Sequence, residues 1–152
     1  MITLATPNQG AALANWFYSS EGNSLGILLG MINPGEQSLE TPNVQFLRGV
    51  WDQIFTVAKI PFYTLSGKSY QCAPDAGACT TQITGPILCS ITGGTNTSCK
   101  GAPANDGLVT HLESLLPSTY STELAVLNTN NDGMALGANT FPFIFKVVKG
   151  LP

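Results

Sequence analysis

Four cysteines, Cys72, Cys79, Cys89 and Cys99, crowd into one Gly-, Thr- and Pro-rich stretch of a 152-residue chain. An even, clustered set of this kind reads as a disulfide framework. Of the three pairings open to four cysteines, Cys72–Cys79 and Cys89–Cys99 are favoured. The segment Ala73 to Ala78 has turn chemistry that brings its ends together, and Ile91 to Asn96 reads as a strand end followed by a Gly-Gly turn. Each bridge closes a short loop and contributes roughly 2–3 kcal/mol.

Zinc is the rival use of such residues. Structural zinc takes closely spaced pairs, often with histidine. Here the gaps are six, nine and nine residues, and the single histidine, His111, lies well beyond Cys99. No C-x-x-C is present. Disulfides imply an oxidising, extracytoplasmic setting: periplasm, cell surface or extracellular space.

Charge narrows the function classes. Charged residues make up 10% of the chain, against roughly 25% in an ordinary soluble domain. A surface this neutral is either wetted by hydroxyl and amide side chains, as on many secreted proteins, or covered by other protein subunits, as in a homo- or hetero-oligomer. The net charge is −3, and Arg48, Lys59, Lys68, Lys100, Lys146 and Lys149 are scattered. Nucleic acid needs a clustered basic footprint, so it is not an expected partner. The apolar run Ile27 to Ile32 is too short for a membrane span. No basic n-region precedes an apolar stretch at the N-terminus, and both ends read as cut. The chain is expected to be a single domain over 1–152, as in a fragment of a longer exported protein.

Periodicity predicts helices first. Asn8 to Ser20 and Ser24 to Ile32 carry apolar residues at helical spacing, and Asn33-Pro34-Gly35 reads as a stop. Thr41-Pro42 opens the strongest helix, ending near Pro61. Its stripe of Val44, Leu47, Trp51, Ile54, Phe55 and Ala58 is expected to pack on the core. Short strands are expected at Phe62–Leu65, Lys68–Gln71, Thr81–Thr84 and Ile87–Thr92, with Ser66-Gly67 turning a hairpin. Asn105-Asp106-Gly107 opens another helix through Leu116, Glu123 to Leu127 is ambiguous, and Phe143 to Val148 reads as a closing strand. The sum is an α+β domain: N-terminal helices packed on a small antiparallel sheet, with a disulfide-braced β segment in the middle.

Motifs of chemistry mostly fail on context. Gly22-Asn23-Ser24-Leu25-Gly26 matches the G-x-S-x-G elbow of serine hydrolases, with His111 downstream and Asp52, Asp75 or Asp106 as the acid. The elbow needs a strand before its serine, and helix is predicted there. Gly67-Lys68-Ser69 resembles the end of a P-loop but lacks the earlier glycine and the following helix. Asn128 to Gly133 lacks the spacing of a calcium loop. Glu36 and Glu40 form no fixed carboxylate pair. Asn96-Thr97-Ser98 is a glycosylation sequon in a surface turn. Catalytic, cofactor-binding and metal-binding residues are therefore read as none, and no cofactor is expected.

The functional expectation is a non-enzymatic structural or interaction domain of an extracytoplasmic assembly, such as a secretion machine, pilus-like fibre, surface layer or virion. A secreted glycan- or receptor-binding module using Trp16, Tyr18, Trp51, Tyr63, Tyr70 or Tyr120 is the alternative. A small secreted serine hydrolase using Ser24 and His111 comes behind both.

Overall fold

The computed structural model describes residues 1–72, 79–95 and 99–150. The turn proposed for 73–78, the candidate acid Asp75 and the sequon 96–98 lie outside the described residues.

Three strands form one sheet in the order β1 (Ile2–Leu4), β2 (Phe62–Gly67), β3 (Ser121–Leu127), and both pairings are parallel. The antiparallel sheet expected from the sequence is thus overturned, and the architecture is α/β. Parallel neighbours need long crossovers rather than tight turns. Helices α1 (Ala12–Phe17), α2 (Asn23–Leu28), α3 (Pro34–Gln37) and α4 (Thr41–Ala58) lie between β1 and β2, and α5 (Thr80–Ile91) and α6 (His111–Ser114) between β2 and β3. Helices α7 (Asn131–Ala135) and α8 (Gly137–Lys149) follow.

β2 is the central strand. Phe62, Thr64, Leu65, Ser66 and Gly67 are all buried, as a parallel strand covered on both faces must be. Ser66-Gly67 therefore turns no hairpin, since β2 runs through both residues and Lys68 N–H still donates to Leu127 O at 2.9 Å. On one face Leu65 packs with Ala5 and Met134, and on the other Phe62 packs with Leu116 and Tyr120. A third cluster joins Leu13 and Phe17 of α1 to Leu88 of α5.

Two further expected strand regions are helical. Thr81, Thr84, Leu88 and Gly85 fall on one buried face of α5, and the Thr84 hydroxyl donates to Thr80 O at 3.0 Å. A β-branched residue whose hydroxyl is satisfied one turn back sits in a helix without a lost partner. In α8, Thr140 is buried and Phe143, Ile144 and Val147 are half-buried at helical spacing, while Gly150 ends the helix at φ 65°. No strand forms at Lys68–Gln71. Asn33-Pro34-Gly35 starts α3 instead of stopping a helix: Asn33 Oδ1 caps Glu36 N–H, and Pro34 takes the first turn.

Helix α4 occupies nearly the span expected but not the expected environment. None of its residues is buried, and Phe46, Leu47, Val50, Trp51, Ile54 and Val57 stand exposed. Phe55 is its anchor, with its ring 4.6 Å from Phe62 and 5.8 Å from Tyr120. Asp52 accepts from the Tyr120 hydroxyl at 2.6 Å, and Arg48 reaches both Asp52 and Tyr120. Tyr120→Phe removes that donor and is expected to lower unfolding free energy by about 1 kcal/mol in urea denaturation. An unchanged midpoint would show that the pairing adds nothing to the docking of α4.

Disulfides join Cys72 to Cys79 and Cys89 to Cys99, with Cα–Cα separations of 6.3 and 5.1 Å. Among the described residues no helix is long and apolar enough to cross a membrane.

Candidate active site

In open parallel sheets, ligands bind in the crevice beyond the carboxyl ends of the strands. Three loops of this chain meet there. The first leaves β1 at Ala5, which is buried and takes φ 46°, a left-handed conformation uncommon outside glycine. The loop behind it is fixed to α6: Asn8 Nδ2 donates to Ser114 O at 2.7 Å and Gln9 N–H to Glu113 O at 2.9 Å.

The second loop, between α5 and α6, places Asp106 over the end of β2. A Cβ on Gly67 would lie 2.7 Å from Asp106 Cβ and 2.6 Å from Thr129 O. Only a residue without a side chain lets the acid and the third loop come this close. Gly67→Ala is expected to cost about 1–3 kcal/mol and to displace Asp106. Thermal unfolding checks the first effect, and an unchanged Tm would refute the crowding.

Asp106 is 1% exposed. Its Oδ1 accepts from Leu108 N–H at 3.0 Å and Val109 N–H at 2.8 Å, and its Oδ2 accepts from Asn131 Nδ2 at 3.0 Å. Burial pushes the carboxyl above its ordinary value, while the amides of Val109 and Leu108 and the Asn131 side chain pull it back. The surrounding loop is stapled to α5: Thr84 Oγ1 donates to Gly107 O, and Asn105 Nδ2 donates to Cys89 Sγ at 3.1 Å. A disulfide thus braces the segment that carries the acid.

The third loop leaves β3. Asn130 caps α7 by accepting from Gly133 N–H at 2.8 Å and donates to Thr81 Oγ1 at 3.3 Å. Asn131 meets Asp106 twice, since its backbone N–H donates to Asp106 O at 2.9 Å besides the side-chain bond. In the serine-hydrolase triad that is built on a G-x-S-x-G elbow the order along the chain is nucleophile, acid, histidine, and the imidazole donates to the acid. Here the group that donates to the acid from the loop after the last strand is an amide.

Beside these loops lies a cavity of about 200 Å³. Ala5, Leu13, Phe17, Met31, Leu39 and Val109 supply much of its wall, and its polar lining is Glu36 and Asn131. The Glu36 carboxyl is half-buried, and that burial raises it above its ordinary value.

The residues singled out from sequence separate in space. Ser24 is exposed on α2, a short helix with no strand leading into it, so Gly22 to Gly26 is not a nucleophile elbow. His111 opens α6 beneath a capping box of Thr110 and Glu113. Its Nδ1 lies 2.9 Å from Ser66 Oγ and 3.4 Å from Glu123 Oε1. A triad puts serine and acid on opposite ring nitrogens, whereas here both face one nitrogen, and Ser66 is 2% exposed within β2. Ser66, His111 and Glu123 form a structural contact. Asn105-Asp106-Gly107 opens no helix: the Asp106 carboxylate accepts from the Leu108 and Val109 amides in a turn, and the next helix, α6, begins only at His111. Asp132 is exposed, and among the described residues no group of three metal-ligating side chains occurs. Trp16 and Trp51 belong to separate clusters on α1 and α4 and share no face.

No protein-family model matches the chain, and no curated protein matches it. Among solved structures, lipase BlEst2 of Bacillus licheniformis in its mature form superposes with a TM-score of 0.73, at 27% identity over 97% of this chain and 53% of its own. The propeptide form of the same lipase gives 0.72 at 28% identity, covering 97% of this chain and 29% of its own. The chain spans about half the length of the mature lipase. Both matched structures are of a lipase, and this likeness overturns the expectation of a non-enzymatic, oligomeric structural or interaction domain, together with its glycan- or receptor-binding alternative.

Proposed function

We propose that this chain forms the acid-bearing part of an extracytoplasmic hydrolase of carboxylic esters, with Asp106 as the acid and the neighbouring apolar cavity as the seat of one side of the substrate. The observation that carries the reading is the position of Asp106: a buried carboxylate held by two backbone amides at the carboxyl end of a central parallel strand, in a chain similar to a lipase over nearly its whole length. An oriented acid of this kind steadies an imidazole, which then takes a proton from a nucleophile. Asn131 now holds Oδ2, so a productive imidazole would have to displace that amide.

Neither a nucleophile nor a base stands beside Asp106 among the described residues. The mature lipase extends over nearly twice the matched length, and in this reading both the nucleophile and the imidazole base lie in a part of the protein corresponding to its unmatched portion. The disulfides favour an oxidising compartment.

The test is hydrolysis of p-nitrophenyl butyrate, with fluorophosphonate labelling, by the protein carrying this sequence. Turnover and labelling at a residue other than Ser24 are expected, and Ser24→Ala leaves both unchanged. Absence of turnover together with absence of labelling would overturn the reading.

A further inference from the structure

We infer that the cavity beside Asp106 takes a short apolar group ending in an ammonium, which Glu36 receives. This names the substrate class for the site proposed above, and rests on that reading only for calling the occupant a substrate.

Size comes first. An engineered apolar cavity of about 150 Å³ accepts benzene, so the present cavity of about 200 Å³ suits a group of roughly six to eight carbons. A long lipid chain does not fit within it. The wall is apolar around α1, from Leu13 and Phe17, and across to Met31, Leu39 and Val109. Such a wall favours an alkyl or aryl group by burial alone.

The polar lining then sets the chemistry at the end of that group. Asp106 accepts hydrogen bonds at both oxygens, so the Asn131 amide is oriented with Nδ2 toward it, which leaves Oδ1 as an acceptor. The Glu36 carboxylate receives no side-chain or backbone hydrogen bond and has no cationic partner among the described residues. Both side-chain polar groups of the cavity therefore offer acceptors. A ligand that brought a carboxylate would set like charge against Glu36, and one that brought a bare carbonyl would leave the Glu36 carboxylate without a donor. An ammonium supplies donors and the opposite charge together. The raised Glu36 carboxyl agrees with a half-buried charge that lacks a counter-ion.

Isothermal titration on the chain itself tests this without any catalytic step. The probes are n-hexylamine, hexan-1-ol and hexanoate at pH 7.5. Hexylamine is expected to bind about tenfold or more tighter than hexanoate, with hexanol between them. Glu36→Gln should bring hexylamine down to the hexanol value, while Leu39→Trp, which fills the cavity, should abolish binding of all three. Ala14, on α1, also lines the cavity, and Ala14→Met provides a second, independent filling variant against any effect of Leu39→Trp on packing. Equal or tighter binding of hexanoate, or an unchanged order in Glu36→Gln, would overturn the assignment. Binding in the expected order by a protein without esterase activity would leave this inference standing and remove the hydrolase reading. Turnover of esters with no preference among the probes would do the reverse.

Discussion

Asp106→Asn lowers ester hydrolysis by about 10⁴-fold, the loss seen when the acid of a serine-protease triad becomes an amide, while the protein stays at least as stable at neutral pH. The two effects have one cause. The native carboxyl is raised by burial, so the folded state binds its proton more readily than the unfolded chain does. For a raised carboxyl the sign is the reverse of the usual acidic case. Ionisation costs folding free energy above the folded value, and that cost fades as the pH falls through it. Asparagine is neutral at every pH, keeps an oxygen for the Leu108 and Val109 amides, and can still pair with Asn131 once that amide turns over to present its oxygen, so the variant escapes the cost. The stability gain over wild type should be present at neutral pH and shrink under acid. Kinetics with p-nitrophenyl butyrate and urea denaturation at pH 4 and pH 7.5 check both halves. A variant that hydrolyses at the wild-type rate would remove Asp106 from the chemistry, and one that is destabilised most at neutral pH would contradict the buried charge.

The second large effect concerns the disulfides. Each closes a loop of short sequence separation, 7 and 10 residues, and is worth about 2–3 kcal/mol. Reduction of both should therefore remove a substantial share of a stability that is ordinarily about 5–15 kcal/mol. The two bridges are not equivalent for the site. Cys89 is buried and its sulfur accepts from Asn105, the residue before the acid. The paired change Cys89→Ala with Cys99→Ala should lower hydrolysis beyond what Cys72→Ala with Cys79→Ala does, at comparable losses of Tm. Equal activity in the two double variants would separate the bridge from the acid loop.

The cysteine cluster pointed to bridges because its spacing suits short loops and not a zinc site. The span of α4 was legible too, since Thr41-Pro42 suits a helix start and the apolar stripe at helical spacing runs out just before Pro61. Its environment was not. An apolar stripe at helical spacing specifies a face that avoids water in some context, yet Leu47, Trp51 and Ile54 remain exposed here. The strand readings at Thr81–Thr84 and Ile87–Thr92 failed because β-branched composition is a weak preference that packing overrides. Thr81, Thr84 and Leu88 recur at helical spacing, and that period was the better signal. β1 was missed because three residues, Ile2 to Leu4, are too few to show any period.

The candidate site was the least legible part. Asp106 was one of three possible acids and Asn131 belonged to a polar loop, with 24 residues between them in the chain. The G-x-S-x-G match drew attention to Ser24, although the motif has meaning only after a strand. Asn105-Asp106-Gly107 held a usable clue, because an aspartate before a glycine commonly turns its carboxylate onto the following amides.

By itself the sequence determined what local chemistry determines: where the long helix α4 begins and ends, and which cysteines lie close enough to pair. Tertiary structure decided the direction of the strands, the burial of Asp106, its bond to Asn131 and the cavity next to Glu36. Those depend on contacts between residues far apart in the chain, whose cost in loop closure is repaid only when the whole sheet assembles. No window of sequence holds the partners together, so no local pattern could report them.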